Sequence, residues 1–504
     1  MIHTLGVDQK LEMSADVLVI GAGTVGLIAA TRLAQAGMTV VCLESGGQVQ
    51  DDEEHPLNAV VHRRRRYNGA AHGRFRCLGG TSTRWGGALI PFQPCDLASA
   101  GWPIPYAEIE RHIPEAERLF HLGAGPYSFP DLGNFPKGSF LPRMAKWPPF
   151  AKRNVANLTA QSVRGNPGLD IWLNATVTDF SVEEGRLNRI AARSTDGGSI
   201  AVTAGEVLFC AGAIETTRLL LLLDQQNDGQ IFAQDDVLGR YFSDHLSVMV
   251  AEVKPKKRND LNMLTGFRFE RSGTMRNLRF ELAHDTALRQ KAPPCFAHIA
   301  FKTEESGGFS ALRDVMRHLQ NRKAPSVGLL FQLARAGPWL ARAVWWRYVH
   351  QRLLYPGDAC IQLHMVVEQT PSPANRITLS DEWRDDLGQP QAEIDWDIEA
   401  EDVTALDKVT TAFAQAWAAS DLEKLATLQC LDSKTLAQDL RNSGGIFHPV
   451  GPTRMGKTSQ DGVVDADLRP FRLANVTVLA TSVLPASGGA NPTMMLILLA
   501  LRAI

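Results

Sequence analysis

Asp16 to Glu44 constrains the fold more than any other stretch of the chain. Asp16 to Ile20 has the short apolar character of a buried strand and runs straight into Gly21-Ala22-Gly23-Thr24-Val25-Gly26. A helical pattern continues to Ala36, Gly37 stops it, and Thr39 to Leu43 forms a second strand closed by Glu44. Strand, glycine turn, helix, strand and acid in this order predict a dinucleotide-binding βαβ unit. Gly21 makes the tight turn, Gly23 lets a pyrophosphate approach the backbone, and Gly26 lets the helix pack on the strand. The helix N-terminus offers its partial positive charge to phosphates. Glu44, about 20 residues on, is placed to accept from both ribose hydroxyls of an adenosine. This fingerprint does not separate FAD from NAD.

A second glycine cluster narrows the choice. Leu78-Gly79-Gly80-Thr81-Ser82-Thr83-Arg84-Trp85-Gly86-Gly87 sets four glycines around hydroxyls and a Trp. Such a loop exposes backbone N–H groups and side-chain donors to a phosphate or a flavin edge. An NAD dehydrogenase has no need of a second cradle so near the first. Upstream lie Arg63 to Arg66, then Arg74 and Arg76, which read as a solvated run or as a clamp for an anion.

With 504 residues the chain is too long for one ordinary core. The boundaries predicted are a dinucleotide domain over 1–245 that includes the 73–87 loop, a substrate lobe over 246–443, and a return to the first domain over 444–504. A net charge of -2 argues against nucleic acid as a partner. Seven scattered cysteines without a CxxC pair fit a reduced cytoplasmic protein with buried thiols and neither a disulfide framework nor a metal site. Neither a signal peptide nor a membrane-spanning run is expected.

In the middle of the chain, Ala156 to Arg164 reads as a helix, and Leu169 to Leu173, Thr176 to Val182, Arg189 to Arg193 and Ile200 to Thr203 as strands. Glu206 to Cys210 is another short strand, and Ala211-Gly212-Ala213-Ile214-Glu215 leads into a helix. This is either a second approach to the dinucleotide through Gly212 or a plain βα turn. Beyond Leu246 the pattern changes. Met249–Val253, Leu278–Leu282 and Cys360–Glu368 alternate as in an antiparallel sheet, followed by strands at Arg376–Leu379 and Ala392–Trp396 and a helix at Glu399–Leu422. The segment Phe309 to Tyr355 interleaves Arg313, Arg317, Arg322, Lys323, Arg335, Arg342, Arg347 and Arg352 with Trp339, Trp345, Trp346 and Tyr348. It reads as a helical pair with solvated cations, or as a basic aromatic surface suited to a membrane interface.

The chain ends on Phe447-His448-Pro449-Val450-Gly451 and, further on, Gly488-Gly489-Ala490-Asn491-Pro492-Thr493 before an apolar run. With the two glycine clusters, these residues resemble the glucose–methanol–choline (GMC) family of FAD-dependent oxidoreductases, most closely its bacterial sugar and polyol dehydrogenase branch. The resemblance is strongest at 15–45, 73–87, 207–222 and 444–501. It implies a fold with a Rossmann-like α/β FAD-binding domain and an interleaved α+β substrate domain on an antiparallel sheet. It gives His448 and Asn491 the place of the catalytic pair and Val177 a backbone contact to adenine. His245, in Gly239-Arg240-Tyr241-Phe242-Ser243-Asp244-His245, takes a supporting, packed position. Some family members attach FAD covalently through a His in the phrase Ser-Thr-His-Trp. Arg84 stands there in this chain, so the resemblance implies dissociable FAD.

The chemistry expected is oxidation of a CH–OH group of a sugar, polyol or glycoside. Neutral His448, with an ordinary pKa of about 6.5, takes the hydroxyl proton, and Asn491 holds the oxygen. Pro492 and Thr493 open a helix whose N-terminus faces the flavin. Oxygen, a quinone or a redox protein would accept the electrons, and a lipid-linked substrate fits a membrane-facing 309–355. A non-redox lyase, or a subunit feeding a cytochrome, is the alternative.

Overall fold

The computed structural model describes residues 1–504 apart from 52, 130, 131, 133, 137, 234, 285, 304–306, 321–323 and 444, with 319 and 320 described by backbone alone. Arg322, Lys323 and Gly444 of the segments above therefore lie outside the described residues. Three sheets organise the rest. The first runs Ile2–Thr4, Leu169–Leu173, Val40–Leu43, Lys10–Ile20, Ser199–Phe209, Arg186–Arg193 and Thr176–Glu183. Lys10–Ile20 is paired in parallel on both edges, with Val40–Leu43 and with Ser199–Phe209. Its Val17 to Ile20 end is consequently buried on both faces. The tail of the chain joins this sheet: Val476–Val478 pairs in parallel with Val207 to Phe209. The closing helix Thr493–Ala503, buried from Met494 to Leu501, packs against the first helix, Thr24–Gln35. Head and tail thus form one α/β unit, as a Rossmann-like domain closed by the C-terminal segment requires.

The second sheet is antiparallel, in the order Arg268–Phe269, Met275–Leu282, Cys295–Lys302, Cys360–Glu368, His245–Pro255 and Ala426–Cys430. Phe140–Trp147, from the first third of the chain, pairs with Met275–Leu282 and crosses into this sheet. Alternation divides the faces. Leu278, Phe280, Ala297, Leu363, Met365 and Val248 pack with Phe413 and Trp417 of the helix Ala400–Ala418. Arg279, Glu281, Phe296, His298, His364, Glu368 and His245 stand on the other face, as their register shows.

The third sheet pairs Arg376–Arg384, Pro390–Asp395 and Val60–His62. It accounts for the arginine run. Arg63, Arg64 and Arg65 reach Glu393, Asp395 and Asp397 in turn, at 2.6, 2.5 and 2.9 Å. Consecutive arginines meet every second residue of an extended segment, which makes a ladder between segments and leaves no anion clamp at these three positions.

Several local expectations shift. Ile200–Thr203 and Glu206–Cys210 are one strand, Ser199–Phe209, because Lys10–Ile20 pairs with it along nearly its whole length. The long helix ends at Ala418, and Ser420 caps a separate turn at Asp421–Lys424. Cys42, Cys77, Cys210 and Cys295 are buried, but Cys360 and Cys430, at the ends of their strands, are exposed.

Candidate active site

Asp244 shapes the loop that presents His448. Its Oδ1 accepts from the backbone N–H groups of His245 (2.6 Å) and His448 (2.8 Å). Its Oδ2 accepts from Ile446 (3.1 Å), Phe447 (3.0 Å) and the Tyr67 hydroxyl (2.8 Å). Five donors on one buried carboxylate hold Phe447 at φ 69°, a conformation a phenylalanine does not adopt without such support. Burial pushes the Asp244 carboxyl up to about 6 against the pull of those donors.

A hydrogen-bonded relay fixes the protons beyond it. His245 Nε2 lies 2.7 Å from the Gly488 carbonyl, which can only accept, so Nε2 carries the proton. In the neutral ring Nδ1 is then an acceptor, and it lies 3.2 Å from His448 Nδ1. His448 must therefore carry its proton on Nδ1, which leaves Nε2 with a free lone pair. That Nε2 faces the Asn491 amide nitrogen at 3.3 Å. Asn491 Oδ1 is buried with no partner among the described residues.

Electrostatics keep both rings neutral. Burial first, then the His245 ring and the Arg279 charge, hold the His448 imidazole well below its ordinary range. Burial pulls His245 down to about 4. His448 and Asn491 are both half-buried, so the enclosure acts on the ring without sealing it. Glu368, paired in register with His245, accepts the Gly488 N–H at 2.5 Å, and burial pushes its carboxyl up to about 8.

The cofactor residues fit a dinucleotide. A Cβ on Gly21 would lie 2.8 Å from the Cys210 carbonyl, and one on Gly26 only 1.9 Å from the Gly21 carbonyl, so both are needed for close packing. A Cβ on Gly23 would meet nothing closer than 3.9 Å, and one on Gly212 nothing within 4 Å, so both backbones stand open. The helices that begin at Thr24, Ala213 and Thr493 all lack a side-chain cap, leaving their first N–H groups for a ligand. Pro492 is the N-cap of the last of these and not its first turn. Glu44 accepts from Ala22 N–H on Oε2 at 2.8 Å, and from Gly46 N–H (2.9 Å) and the Ser45 hydroxyl (3.4 Å) on Oε1, so Oε2 keeps a second lone pair. The glycine loop bridges the two ends of the chain: Gly80 abuts Gly23, and Gly73 abuts Phe447.

Other loop residues serve the loop itself. The Ser82 hydroxyl donates to Gly79 O and accepts from Val155 N–H. Trp85 Nε1 donates to Arg153 O, and Thr81 Oγ1 reaches back to Gly73 O. Gly86 lies against the Trp147 ring, and Gly87 takes φ 90°. Arg84 bonds Gln50. Val177 is buried in its strand beside Ala192. Arg76 is held by Glu215, Ser45 and Asn58, so its charge is spent within the protein. Asp244, Glu368 and Arg279 escape the sequence reading, since only long-range register brings them to His448. The pairing of an acid with His245 in one phrase was the one local cue.

Comparison with known proteins bears on the domains in which these residues lie. Residues 371–500 match the GMC oxidoreductase family, and residues 14–64 match an FAD binding domain. A 2-methyl-1,2-propanediol dehydrogenase of Mycolicibacterium austroafricanum is 22% identical over 97% of this chain and 94% of its own. The fructose dehydrogenase large subunit of Gluconobacter japonicus is 22% identical over 97% of both chains. Among solved structures, pyridoxine 4-oxidase from Mesorbium loti superposes with a TM-score of 0.61 at 18% identity, covering 97% of this chain and 98% of that one. A formate oxidase of Aspergillus oryzae superposes at 0.58 and 14%, over 97% of both, and these likenesses speak for the fold. The chain thus carries a GMC oxidoreductase domain near its C-terminus and an FAD binding domain near its start, as an FAD-dependent oxidoreductase does.

Proposed function

We propose that this enzyme oxidises a CH–OH group of a sugar, polyol or related alcohol, with His448 as the base. The observation that carries the proposal is the unprotonated His448 Nε2 facing Asn491, fixed by the relay through His245 to Gly488. FAD, held without a covalent bond, supplies the hydride acceptor. A carbinol hydroxyl placed between Nε2 and the Asn491 amide donates its proton to the first and accepts from the second. Losing that proton lets electron density move to carbon, so its hydride can leave without building a cation. With FAD bound, the uncapped N-terminus at Thr493 would offer its positive potential to negative charge on the reduced flavin. The relatives named as propanediol and fructose dehydrogenases support an alcohol or sugar substrate. Replacing His448 by Ala should slow anaerobic bleaching of the flavin by about 10²–10⁴ with FAD retained. Bleaching at the parent rate would remove His448 from the role, and turnover without bleaching would favour a lyase.

No helix among the described residues is long and apolar enough to cross a membrane. The helices Val327–Arg335 and Gly337–Trp345 nonetheless contain no buried residue. Val327, Phe331, Trp345 and Tyr348 are 84, 62, 61 and 76% exposed, while Trp346 is packed inside. Arg335 and Arg347 stack on rings of this surface. This basic aromatic face is suited to an anionic lipid surface, where a quinone would be a natural electron acceptor. Sedimentation with vesicles containing phosphatidylglycerol should carry the enzyme down. Phe331→Glu with Trp345→Glu should abolish this, and equal pelleting by neutral vesicles and by this variant would count against it.

A further inference from the structure

The polar face of the second sheet carries a cation with no anion bound to it. Arg279 is 5% exposed, and its Nε and Nη1 have no hydrogen-bond partner among the described residues. Its guanidinium lies over the Phe296 ring at 4.3 Å. The same ring meets His245 edge-on at 6.2 Å, and His245 meets His448 at 5.4 Å. Two rings, Phe296 and His245, therefore link this cation to the base. Its charge is felt there, since it helps to depress His448, His245 and His298.

The neighbours leave the fork unfilled. Glu281, two residues on, spends its Oε2 on Arg143 and Gln93, and its Oε1 has no partner among the described residues. Its charge offsets that of Arg279 across space without a hydrogen bond. His298, in register with Arg279, stacks on His364 at 5.6 Å and also has an unpartnered Nδ1. A buried guanidinium with idle donors is costly, as is each orphaned polar atom beside it. Burial lowers Arg279 to about 10, so it stays a cation at neutral pH. Orphaned donors and acceptors on one face beside the base point to a ligand that supplies all their partners at once.

We propose that Arg279 anchors the carboxylate of a hydroxy-acid substrate whose CH–OH group lies at His448 and Asn491. This rests on His448 being the base. A planar fork matches a carboxylate in bidentate fashion. The nearby Arg143 and Arg289 already bind Glu281 and Asp96, so the free donors suit one carboxylate better than a phosphate. Glu281 Oε1 and His298 Nδ1 remain for further hydroxyls, which favours a polyhydroxylated acid of the sugar-acid kind.

The test uses holoenzyme and pairs that differ only in the carboxylate: methyl β-glucuronide with methyl β-glucoside, and lactate with propylene glycol. Anaerobic flavin bleaching should favour the acid of at least one pair. In Arg279→Gln the KM for that acid should rise on the order of 10²-fold, and by far more than the KM of the neutral partner. Glutarate, which has no carbinol to oxidise, should raise the melting temperature of the parent and not of the variant. Arg279→Lys, which keeps the charge but not the fork, should fall between. Preference for the neutral member of both pairs, or an equal effect of Arg279→Gln on acid and alcohol, would overturn the anion site. Glutarate failing to stabilise the parent overturns it even if Arg279→Gln does not fold. Unchanged bleaching in His448→Ala would instead remove the base, and so separates the two claims.

Discussion

Replacing His245 by Phe tests how the protein chooses the working nitrogen of its base. The substitution removes the acceptor for His448 Nδ1–H and the donor for the Gly488 carbonyl. His448 can then hold its proton on either nitrogen. On Nδ1 it becomes a buried donor without a partner. On Nε2 it can bond Asn491 Oδ1 once that amide turns, and this oxygen has no other partner among the described residues. One unsatisfied buried donor is worth about 1–3 kcal/mol. At about 1.4 kcal/mol per decade, the base-competent tautomer falls roughly 5- to 150-fold. Stopped-flow bleaching at neutral pH should show kcat/KM reduced by that factor, with the bound-flavin spectrum intact. Adding Asn491→Ala removes the bond that favours the wrong tautomer, so the double variant should lose less than the product of the singles. A His245→Phe rate within about twofold of the parent, or purely multiplicative losses, would refute the tautomer argument.

Other consequences are equally direct. Gly26→Ala places a Cβ 1.9 Å from the Gly21 carbonyl and should destabilise by about 4–5 kcal/mol or prevent folding. Gly23→Ala meets no protein atom closer than 3.9 Å, so circular dichroism should match the parent while flavin absorbance per chain falls. Equal FAD content in the Gly23 variant would argue against a pyrophosphate there. As the proposed base, His448 works unprotonated, and burial holds its folded pKa well below the ordinary value. Activity should therefore hold as pH falls through about 6.5 and be lost only below it. An acid limb in kcat/KM at or above that pH would contradict the burial of His448. Asp244→Asn puts a donor where backbone N–H groups now find an acceptor, stranding two of them in either amide orientation: His245 and His448, or Ile446 and Phe447. It should lower stability by about 2–6 kcal/mol, read as a lower melting temperature.

What the sequence revealed follows the range of the forces involved. The βαβ unit was legible because its glycines and strands lie within one short stretch, where turn sterics and periodicity act locally. The antiparallel lobe was legible from alternation at Leu278–Leu282 and Cys360–Glu368, which separates its two faces in register. Alternation did not reveal that Phe140–Trp147 pairs with Met275–Leu282, because such pairing is decided by the assembled sheet. The arginine run misled for the same reason: its partners lie some 330 residues away, on Glu393, Asp395 and Asp397. His448 and Asn491 were named by the resemblance that their flanking glycine and proline motifs bear to the GMC family. The carboxylate that supports one of them, Asp244, and the cation on the facing sheet, Arg279, needed tertiary structure to be seen.

The central claim is that His448 and Asn491 oxidise a carbinol against bound FAD, and isotopic substitution at that carbon tests it most directly. Holoenzyme mixed without oxygen with an active alcohol should lose its flavin colour, and should lose it more slowly when the carbinol carbon carries deuterium. His448→Ala, with FAD still bound, should lose it hardly at all. Product formed with the flavin colour unchanged would contradict the claim, as would identical rates for the two isotopes in a step that His448→Ala leaves untouched.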